Sequence, residues 1–273
     1  MTKTTCPDVL TQARTALRDI VPGLVALVRR IPDAHSGSVG TWTVGDVAAH
    51  LSHVFRFDTD AIAGRPVPEA VVTSEGMAEV NAKALTEDGE RAPAALADRI
   101  SALAKEFDDV ASRPRPGSAD WLQGVRLPPS AVACHLLVEC LIHGHDIAGA
   151  IGHPWSIPRH HALLAVEGGV LPLISALPPT AFVDQEAGPF RARIALHLRG
   201  GGSTVMVFDR GSLALDPAGA GDVDAHISAD PAALMLVFIG RRGIGAPLLG
   251  GKLAAWGLRP WKLARMLTVI KAP

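Results

Sequence analysis

Three side chains that can bind a metal ion recur at four-residue intervals in CHLLVECLIHGHDIAGAIG, residues 134–152. His135, Glu139 and His143 share one face if this segment is a helix. Asp146 follows three residues after His143 and lies close to the same face. An imidazole and a carboxylate one turn apart can reach a single ion, as they do in metal-binding helical bundles. The spacing therefore predicts a metal site on this helix.

A second segment offers a further ligand. His50 lies among apolar residues in GDVAAHLSHVF, residues 45–55, so a helix would bury it or place it near the buried side. With Glu139 and His143 it forms a set of two imidazoles and one carboxylate, which is typical of catalytic zinc with an open fourth position. Such an ion can lower the pKa of a bound water or thiol. We therefore predict His50, Glu139 and His143 as ligands of a divalent metal, with Zn2+ favoured.

Several alternatives stay open at this point. Nickel, iron and manganese accept the same donors, and His53 and His135 compete with the three predicted ligands. Asp146 is predicted to orient one imidazole from behind. Histidines on an apolar helix face are more often hydrogen-bonded core residues than ligands. Glu139 favours the metal, because an ionised carboxylate among leucines is costly to bury without a partner.

Helical elements must position these residues. We predict helices over residues 8–21, with an apolar continuation to Ile31 beyond Pro22-Gly23, and over residues 44–60, 75–86, 93–111 and 129–152. Thr43 is the predicted N-cap of the second helix, and Asp46 completes a weak capping box. Residues 113–127 are rich in proline and glycine and are predicted to form a loop. Long helices of this kind indicate a four-helix bundle.

The pattern changes to short alternating runs in the C-terminal part of the chain. We predict strands over residues 191–198, 204–208, 212–215 and 225–228, followed by a helix over residues 231–240 with Asp230 as its N-cap. Hairpins followed by helices indicate an α+β fold with an antiparallel sheet. We therefore divide the chain into residues 1–175, a helical bundle, and residues 176–273, a smaller α+β domain.

Composition excludes several classes of protein. The chain of 273 residues is 48% hydrophobic and 19% charged, which excludes extensive disorder. Aromatic residues are only 4% and the net charge is −1, which argues against nucleic-acid binding. We expect no membrane span, because no apolar run reaches about 18 residues. Three cysteines without a CxxC pair and an N-terminus without an apolar signal segment favour the cytoplasm.

The charge is unevenly distributed. Residues 1–230 carry −8 and residues 231–273 carry +7, because no acidic residue follows Asp230. Near the C-terminus, apolar residues alternate with Lys262 and Arg265. We predict a terminal helix that packs through its apolar side and exposes its cations to solvent. Binding to a membrane surface is the alternative interpretation.

Two segments resemble the mycothiol-dependent maleylpyruvate isomerase family, which belongs to the DinB-like superfamily of metal-binding bundles. They are WTVGDVAAHL at residues 42–51 and LVECLIHGHDIAGAIG at residues 137–152. The resemblance implies that His50, Glu139 and His143 bind a divalent metal, typically zinc. GDVDAHISADPAALMLVFIGRR at 221–242 and LLGGKLAAWG at 248–257 resemble the sterol-carrier-like domain that often follows in this family.

The resemblance implies a metal- and thiol-dependent isomerase or S-transferase that uses mycothiol as the thiol. A metal-activated thiolate would attack a small electrophile that bears a carboxylate, and Arg241 or Arg242, with Arg259 behind them, would bind that carboxylate. Two positions depart from the family pattern, Gly45 and His145. Two other functions stay open: a carrier of an apolar ligand with a structural bundle, and a metal-dependent hydrolase. The oligomeric state is not predicted.

Overall fold

The computed structural model describes residues 8–68, 74–113, 117–122, 124–184, 188–216 and 221–270. Its contacts divide the chain into two compact units. One contains Met1–Ala70 and Ala78–Ile157, and the other contains Val71–Met77 and Pro158–Pro273.

Five helices precede residue 157 within the described residues: α1 Val9–Arg29, α2 Val44–Ala63, α3 Ser74–Glu87, α4 Pro93–Ala111 and α5 Pro129–Ala150. Helix α1 packs against α4 and α5, and α2 packs against the same two helices. Each of the four long helices thus has two long neighbours, which confirms the predicted four-helix bundle. The bounds of α2 to α5 lie within about three residues of the predicted ones.

Helix α1 does not break at Pro22, where an interruption was predicted. Proline removes one backbone hydrogen bond and crowds the preceding turn, which alone costs about 3 kcal/mol. The helix continues because its apolar face is buried on both sides of Pro22, from Leu17 and Ile20 to Leu24 and Leu27. Burial of this face outweighs the local penalty.

The start of α2 is fixed by the predicted capping box. The Thr43 hydroxyl accepts the Asp46 backbone N–H at 3.1 Å, and Asp46 Oδ2 accepts the Thr43 backbone N–H at 2.9 Å. Two donors that the helix itself cannot satisfy are thereby bonded. The cap therefore sets where α2 begins and, with it, the angular position of His50.

Two short hairpins flank the long helices of the first unit. One pairs β1 Gly37–Val39 with β2 Trp42–Thr43, and the other pairs β3 Ala119–Leu122 with β4 Val125–Leu127. The second hairpin lies in the segment that was predicted to be a loop. Gly124 forms its turn with φ 81°, and Trp121 and Leu122 are buried. Turn residues reveal where a chain reverses, but they do not show that the flanking residues pair.

The second unit includes α6 Arg159–Ala165, a π-helical turn Val166–Val170 and α7 Leu171–Ala176. It continues with β5 Arg191–Leu198, β6 Ser203–Asp209, β7 Leu213–Asp216, β8 Ala225–Ala229, α8 Pro231–Phe238, α9 Gly245–Leu249, β9 Leu253–Trp256 and α10 Trp261–Val269. The division between the units falls at residue 157, earlier than the predicted 175, because α6 packs against α8 and α7 against β7.

The sheet of the second unit has the strand order β7-β6-β5-β8-β9. Strands β5 and β8 pair in parallel, whereas the other three pairs are antiparallel. The predicted antiparallel sheet is therefore corrected to a mixed sheet. Tight turns predict antiparallel neighbours, but β8 follows β7 in the chain and pairs beside β5 instead, through a connection that is not a hairpin.

Helix α8 starts at the predicted cap, where Asp230 Oδ1 accepts the Ala233 backbone N–H at 3.1 Å. Helix α10 is the predicted terminal helix and buries Leu263, Met266 and Val269. Trp261 is nevertheless 65% exposed, so the apolar side of α10 is only partly covered.

Helix α5 is long and apolar enough to cross a membrane by length and composition alone. In the structure most of its residues are buried inside the protein. The helix is thus the central core element of the first unit.

The first prediction concerns the cap of α2. Thr43→Ala removes the hydroxyl that accepts the Asp46 N–H, and we expect the free energy of unfolding to fall by about 1 kcal/mol. Urea unfolding followed by circular dichroism measures this change. Thr15→Ala on the exposed face of α1 is the matched control and should cost much less. Equal losses in the two variants would contradict the capping box.

The second prediction concerns Asp224, which anchors the start of β8. Its carboxylate accepts the Arg193 backbone N–H at 3.0 Å and hydrogen bonds from Arg259 Nη1 at 2.5 Å and Lys262 Nζ at 2.8 Å. Burial alone would raise the pKa of Asp224, but Lys262, Arg259 and the Arg193 N–H lower it from 3.8 to about 2.

A carboxyl whose pKa falls on folding stabilises the folded state above its unfolded pKa, and this contribution is lost as pH falls through the folded pKa. We therefore expect Asp224→Asn to destabilise the protein near pH 6 and the difference from wild type to shrink between about pH 4 and pH 2. Urea midpoints across this range measure it. Asp222→Asn, two residues earlier at an exposed position, is the control. A difference that does not change with pH would contradict the role given to Asp224.

Candidate metal centre

Helices α2 and α5 run antiparallel where they contact each other. His50 on α2 lies against Glu139 and His143 on α5, whereas Asp58, eight residues further along α2, lies against His135. Residue numbers rise along one helix as they fall along the other. The structure thus brings together the three residues that the sequence predicted as a set.

The two imidazoles converge on the carboxylate of Glu139. Its Oε2 atom lies 3.1 Å from His50 Nε2 and 3.2 Å from His143 Nε2. One nitrogen or oxygen atom from each residue lies within 4.8 Å of the other two. Ligand atoms about 2.0–2.1 Å from a tetrahedral ion are about 3.3 Å apart. Two of the three donor–donor distances therefore match one tetrahedral divalent ion, and the third lies within 4.8 Å.

Burial makes these side chains dependent on one another. His50 is 6% exposed and His143 is 7% exposed. Burial favours neutral imidazole and lowers the pKa of His50. Burial also opposes the charge of Glu139, but hydrogen bonds from His143 and His50 hold its pKa well below the ordinary value. The site thus combines an ionised carboxylate with a neutral imidazole, which are the forms that bind a metal.

Asp146 lies behind His143 as predicted. Its Oδ2 atom is 3.0 Å from His143 Nδ1, on the far side of the ring from Glu139. Burial lowers the pKa of His143, but the neighbouring carboxylates of Asp146 and Glu139 raise it to about 9. At neutral pH His143 without a metal therefore carries a proton on both ring nitrogens. A metal at Nε2 would displace one proton, while Asp146 holds the other at Nδ1 and keeps Nε2 directed at the centre.

The competing histidines do not join the three-residue set. His53 Nε2 lies 3.0 Å from Asp88 Oδ2, and Arg99 pairs with the same carboxylate. His135 Nδ1 lies 2.9 Å from Asp58 Oδ2. Burial lowers the pKa of His135, but the charge of Asp58 raises it to about 9. Each of these histidines thus has its own carboxylate partner.

Two tryptophans contribute to the site, although the sequence analysis assigned no such function to them. The Trp42 ring lies 4.9 Å from the His50 ring and 6.4 Å from the His143 ring. Trp121 Nε1 donates to Asp58 Oδ1 at 2.9 Å. Trp42 appeared only as the first residue of the segment WTVGDVAAHL, and Trp121 lay in the predicted loop. Asp58 had a usable signal, since it follows His50 by eight residues and therefore lies on the same helix face.

Glycine fits closely beside the ligands at two positions. A Cβ atom at Gly45 would lie 2.8 Å from the Ala34 carbonyl oxygen, and one at Gly144 would lie 2.3 Å from the Trp155 ring. Trp155 in turn donates to the Leu141 carbonyl at 3.0 Å. The departure at Gly45 therefore has a steric reason, since a larger residue would displace the start of α2.

Neither cysteine of the described residues is a reactive thiol. Cys134 and Cys140 are both buried and unbridged. Burial raises the pKa of Cys134 to about 12 and also raises that of Cys140. Both are core residues, and Cys6 lies outside the described residues. Neither of the two described cysteines would therefore supply a thiolate at neutral pH.

The arginines predicted to bind a substrate carboxylate lie in the turn after α8. Both backbone N–H groups donate to the Leu236 carbonyl, and Arg241 Nη1 donates to the Ile239 carbonyl at 3.1 Å. Arg242 is exposed. Arg259, the third candidate, is occupied by Asp224. Arg242 is therefore the candidate whose side chain is most accessible to an anion from solution.

The second unit also contains a cavity of about 400 Å³ between its helical segment and one face of the sheet. Leucines from α7, β5 and β7 form part of its wall, and Glu167 of the π-helical turn and Ser175 add polar groups. Glu167 accepts the Gly202 backbone N–H at 2.5 Å. The cavity is large enough for a small apolar molecule.

Comparisons with known proteins place this arrangement in a family. A family model described as the mycothiol maleylpyruvate isomerase N-terminal domain matches residues 10–148, slightly more than half of the chain. The crystal structure of the mycothiol-dependent maleylpyruvate isomerase is 19% identical with a TM-score of 0.51, covering 89% of this chain and 92% of that chain. A mutant of that enzyme with one histidine changed to alanine is also 19% identical, with a TM-score of 0.52 and coverages of 90% and 94%. No curated protein matches the chain. The structural likeness extends over both units and shows the fold.

Proposed function

Because the chain belongs to the mycothiol maleylpyruvate isomerase family, we propose that it is a metal- and thiol-dependent enzyme acting on a small electrophile. The observation that carries this proposal is the convergence of His50, Glu139 and His143, one donor atom from each lying within 4.8 Å of the others. Family membership supports an enzyme of this type, and the geometry supports the metal ligands.

The donor set fits a divalent metal by its chemistry. Glu139 and His143 come from successive turns of α5, and His50 comes from the facing helix, so three protein ligands are held by rigid elements. An ionised carboxylate buried between imidazoles is the pairing that zinc prefers among nitrogen and oxygen donors. A divalent ion bound here would supply a positive charge that lowers the pKa of a coordinated thiol.

The residues of the chain then have separate functions. His50, Glu139 and His143 would hold the ion, Asp146 orients His143 through its Nδ1 atom, and Trp42 shields the imidazoles from water. The described cysteines are buried with raised pKa values, and we propose that the nucleophilic sulfur comes from a separate thiol. The family description and the relatives name mycothiol, and we propose the same thiol here.

The use of a separate thiol as the nucleophile determines which class of reaction we propose. Addition of a thiol sulfur to one carbon of a cis double bond turns that bond into a single bond, about which the adduct can rotate. Elimination of the same thiol restores the double bond in the trans form, so the thiol is regenerated and the product is an isomer. In an S-transferase the adduct would be the product. Arg241 and Arg242 are proposed to bind the carboxylate of the electrophile.

A second candidate function is supported by the cavity of the second unit. Its volume of about 400 Å³ and its leucine-rich wall suit a small apolar ligand, which would make the chain a carrier. Bound lipid in the purified protein, together with no thiol-dependent turnover, would favour the carrier over the enzyme.

The third prediction concerns the metal. We expect the wild type to bind about one equivalent of zinc, and His50→Ala to weaken zinc binding by at least about 100-fold because one of three protein ligands is lost. Elemental analysis and a chelator competition titration measure stoichiometry and affinity. His53→Ala, a buried histidine on the same helix that faces Asp88, is the matched control and should bind zinc as the wild type does. Absence of zinc in the wild type, or wild-type affinity in His50→Ala, would overturn the metal proposal.

The same preparations separate the reaction classes when maleylpyruvate is supplied with and without mycothiol. Thiol-dependent turnover with full recovery of the thiol supports the isomerase, and consumption of the thiol supports the S-transferase. Turnover without thiol would contradict both and favour the hydrolase.

The fourth prediction concerns the substrate carboxylate. We expect Arg242→Ala or Arg241→Ala to raise KM for a carboxylate substrate by about tenfold or more, the cost of losing a charge-assisted hydrogen bond, while zinc content is unchanged. Steady-state kinetics and metal analysis measure the two effects. Arg191→Ala, which removes an exposed cation paired with Asp209, is the control. An unchanged KM in both variants would exclude these arginines from substrate binding.

A further inference from the structure

Asp58, Trp121 and His135 form a polar network next to the proposed metal ligands, and none of the three is itself a proposed ligand. Asp58 is 1% exposed, and both of its carboxylate oxygens are occupied. Oδ1 accepts the Trp121 indole N–H at 2.9 Å, and Oδ2 lies 2.9 Å from His135 Nδ1. A carboxylate with a donor at each oxygen is held in one orientation.

The His135 ring is fixed from two sides. Asp58 determines where Nδ1 lies, and the Trp121 ring meets the imidazole edge-on, with centroids 4.9 Å apart and planes at 72°. In this orientation Nε2 faces Glu139 Oε1 at 3.6 Å. That separation is too long for a hydrogen bond but is within the range of an ion pair. His135 therefore spans two carboxylates, one at each ring nitrogen.

Glu139 then has a separate partner for each oxygen. Oε2 lies between His50 and His143, whereas Oε1 faces His135. A ligand carboxylate that is free to rotate can present either oxygen or both to an ion. Holding Oε1 from behind leaves Oε2 alone directed into the donor set.

We propose that Asp58 and Trp121 hold His135 as a positioning residue that fixes Glu139 and so strengthens metal binding. This inference rests on the proposed function, since it requires that Glu139 binds a metal. It also gives the β3–β4 hairpin a purpose, because that hairpin supplies the indole N–H that orients Asp58. Three elements that are separate in sequence, α2, β3 and α5, would thus act on one ligand.

The fifth prediction tests this network by metal affinity rather than activity. We expect His135→Gln and Asp58→Asn each to weaken zinc binding by about 10- to 100-fold, the usual effect of losing a residue that orients a ligand. Trp121→Phe should weaken binding in the same direction by a smaller factor. The double variant of His135→Gln and Asp58→Asn should bind about as weakly as the weaker single variant, because both changes break one chain of contacts. Titration of the metal-free full chain with zinc against a chromophoric chelator measures all four.

Two further measurements distinguish a positioning residue from a metal ligand and from a buried histidine of purely structural importance. His53→Gln removes a histidine that is more deeply buried than His135 and also pairs with an aspartate, and it should leave zinc affinity unchanged. The visible spectrum of the cobalt-substituted protein should keep its four-coordinate intensity in His135→Gln, since a positioning residue is not a ligand. A changed coordination number would show that His135 binds the metal itself and would overturn the proposal.

The outcomes separate this inference from the proposed function. If the wild type binds no zinc, the proposed function fails. If the wild type binds zinc and folded His135→Gln, checked by circular dichroism, binds it equally well, only the positioning inference fails. Trp121→Phe keeps an aromatic ring and removes the hydrogen bond to Asp58, so it tests the network even if Asp58→Asn does not fold.

Discussion

The packing of α2 against α5 in the first unit depends on how the negative charge of Glu139 is compensated. An ionised carboxylate in the middle of an apolar core helix costs several kcal/mol unless cations or hydrogen-bond donors surround it. His50 and His143 lie within hydrogen-bond distance of Glu139, and His135 faces it at the longer distance of an ion pair. One of them comes from α2, which must therefore lie against α5 at this height and in the antiparallel direction. The electrostatic need of one side chain thus constrains how the two central helices pack.

Two glycines make room for residues that pack against the ligand-bearing helices. Gly45 lets the start of α2 approach the Ala34 carbonyl, and Gly144 leaves room for the Trp155 ring against α5. Glycine in a helix interior, as at Gly144, weakens the helix by about 1 kcal/mol relative to alanine. This cost is offset at Gly144 because a Cβ atom there would overlap the Trp155 ring. Helical stability here comes from the buried faces, and local propensity is secondary.

The features that the sequence predicted are those encoded locally. The capping box at Thr43 and Asp46, the cap at Asp230, the strand over residues 191–198 and the four-residue spacing of Glu139 and His143 all depend on neighbours within one or two turns. The features that it missed depend on distant residues. The parallel pairing of β5 with β8 and the contact of Trp121 with Asp58 join residues that are at least 31 positions apart. Periodicity also could not exclude His53 or His135 as a metal ligand, because both lie on apolar helix faces. The structure pairs His53 with Asp88 and His135 with Asp58.

The positive charge of residues 231–273 can be interpreted once the ion-pair partners of its side chains are known. These residues carry a net charge of +7, but their cations do not all have the same kind of partner. Arg259 and Lys262 both bind Asp224, a residue from the acidic part of the chain, and help to anchor α10 and β8. Their charge is thus used for folding the second unit. Arg242 is exposed in the turn after α8 and, among the residues that the structure describes, is not paired with a carboxylate, so an anionic substrate would meet less competition there than at Arg259. Two of the seven cations of residues 231–273 therefore serve an internal ion-pair network, and Arg242 is among those left for recognition of a ligand.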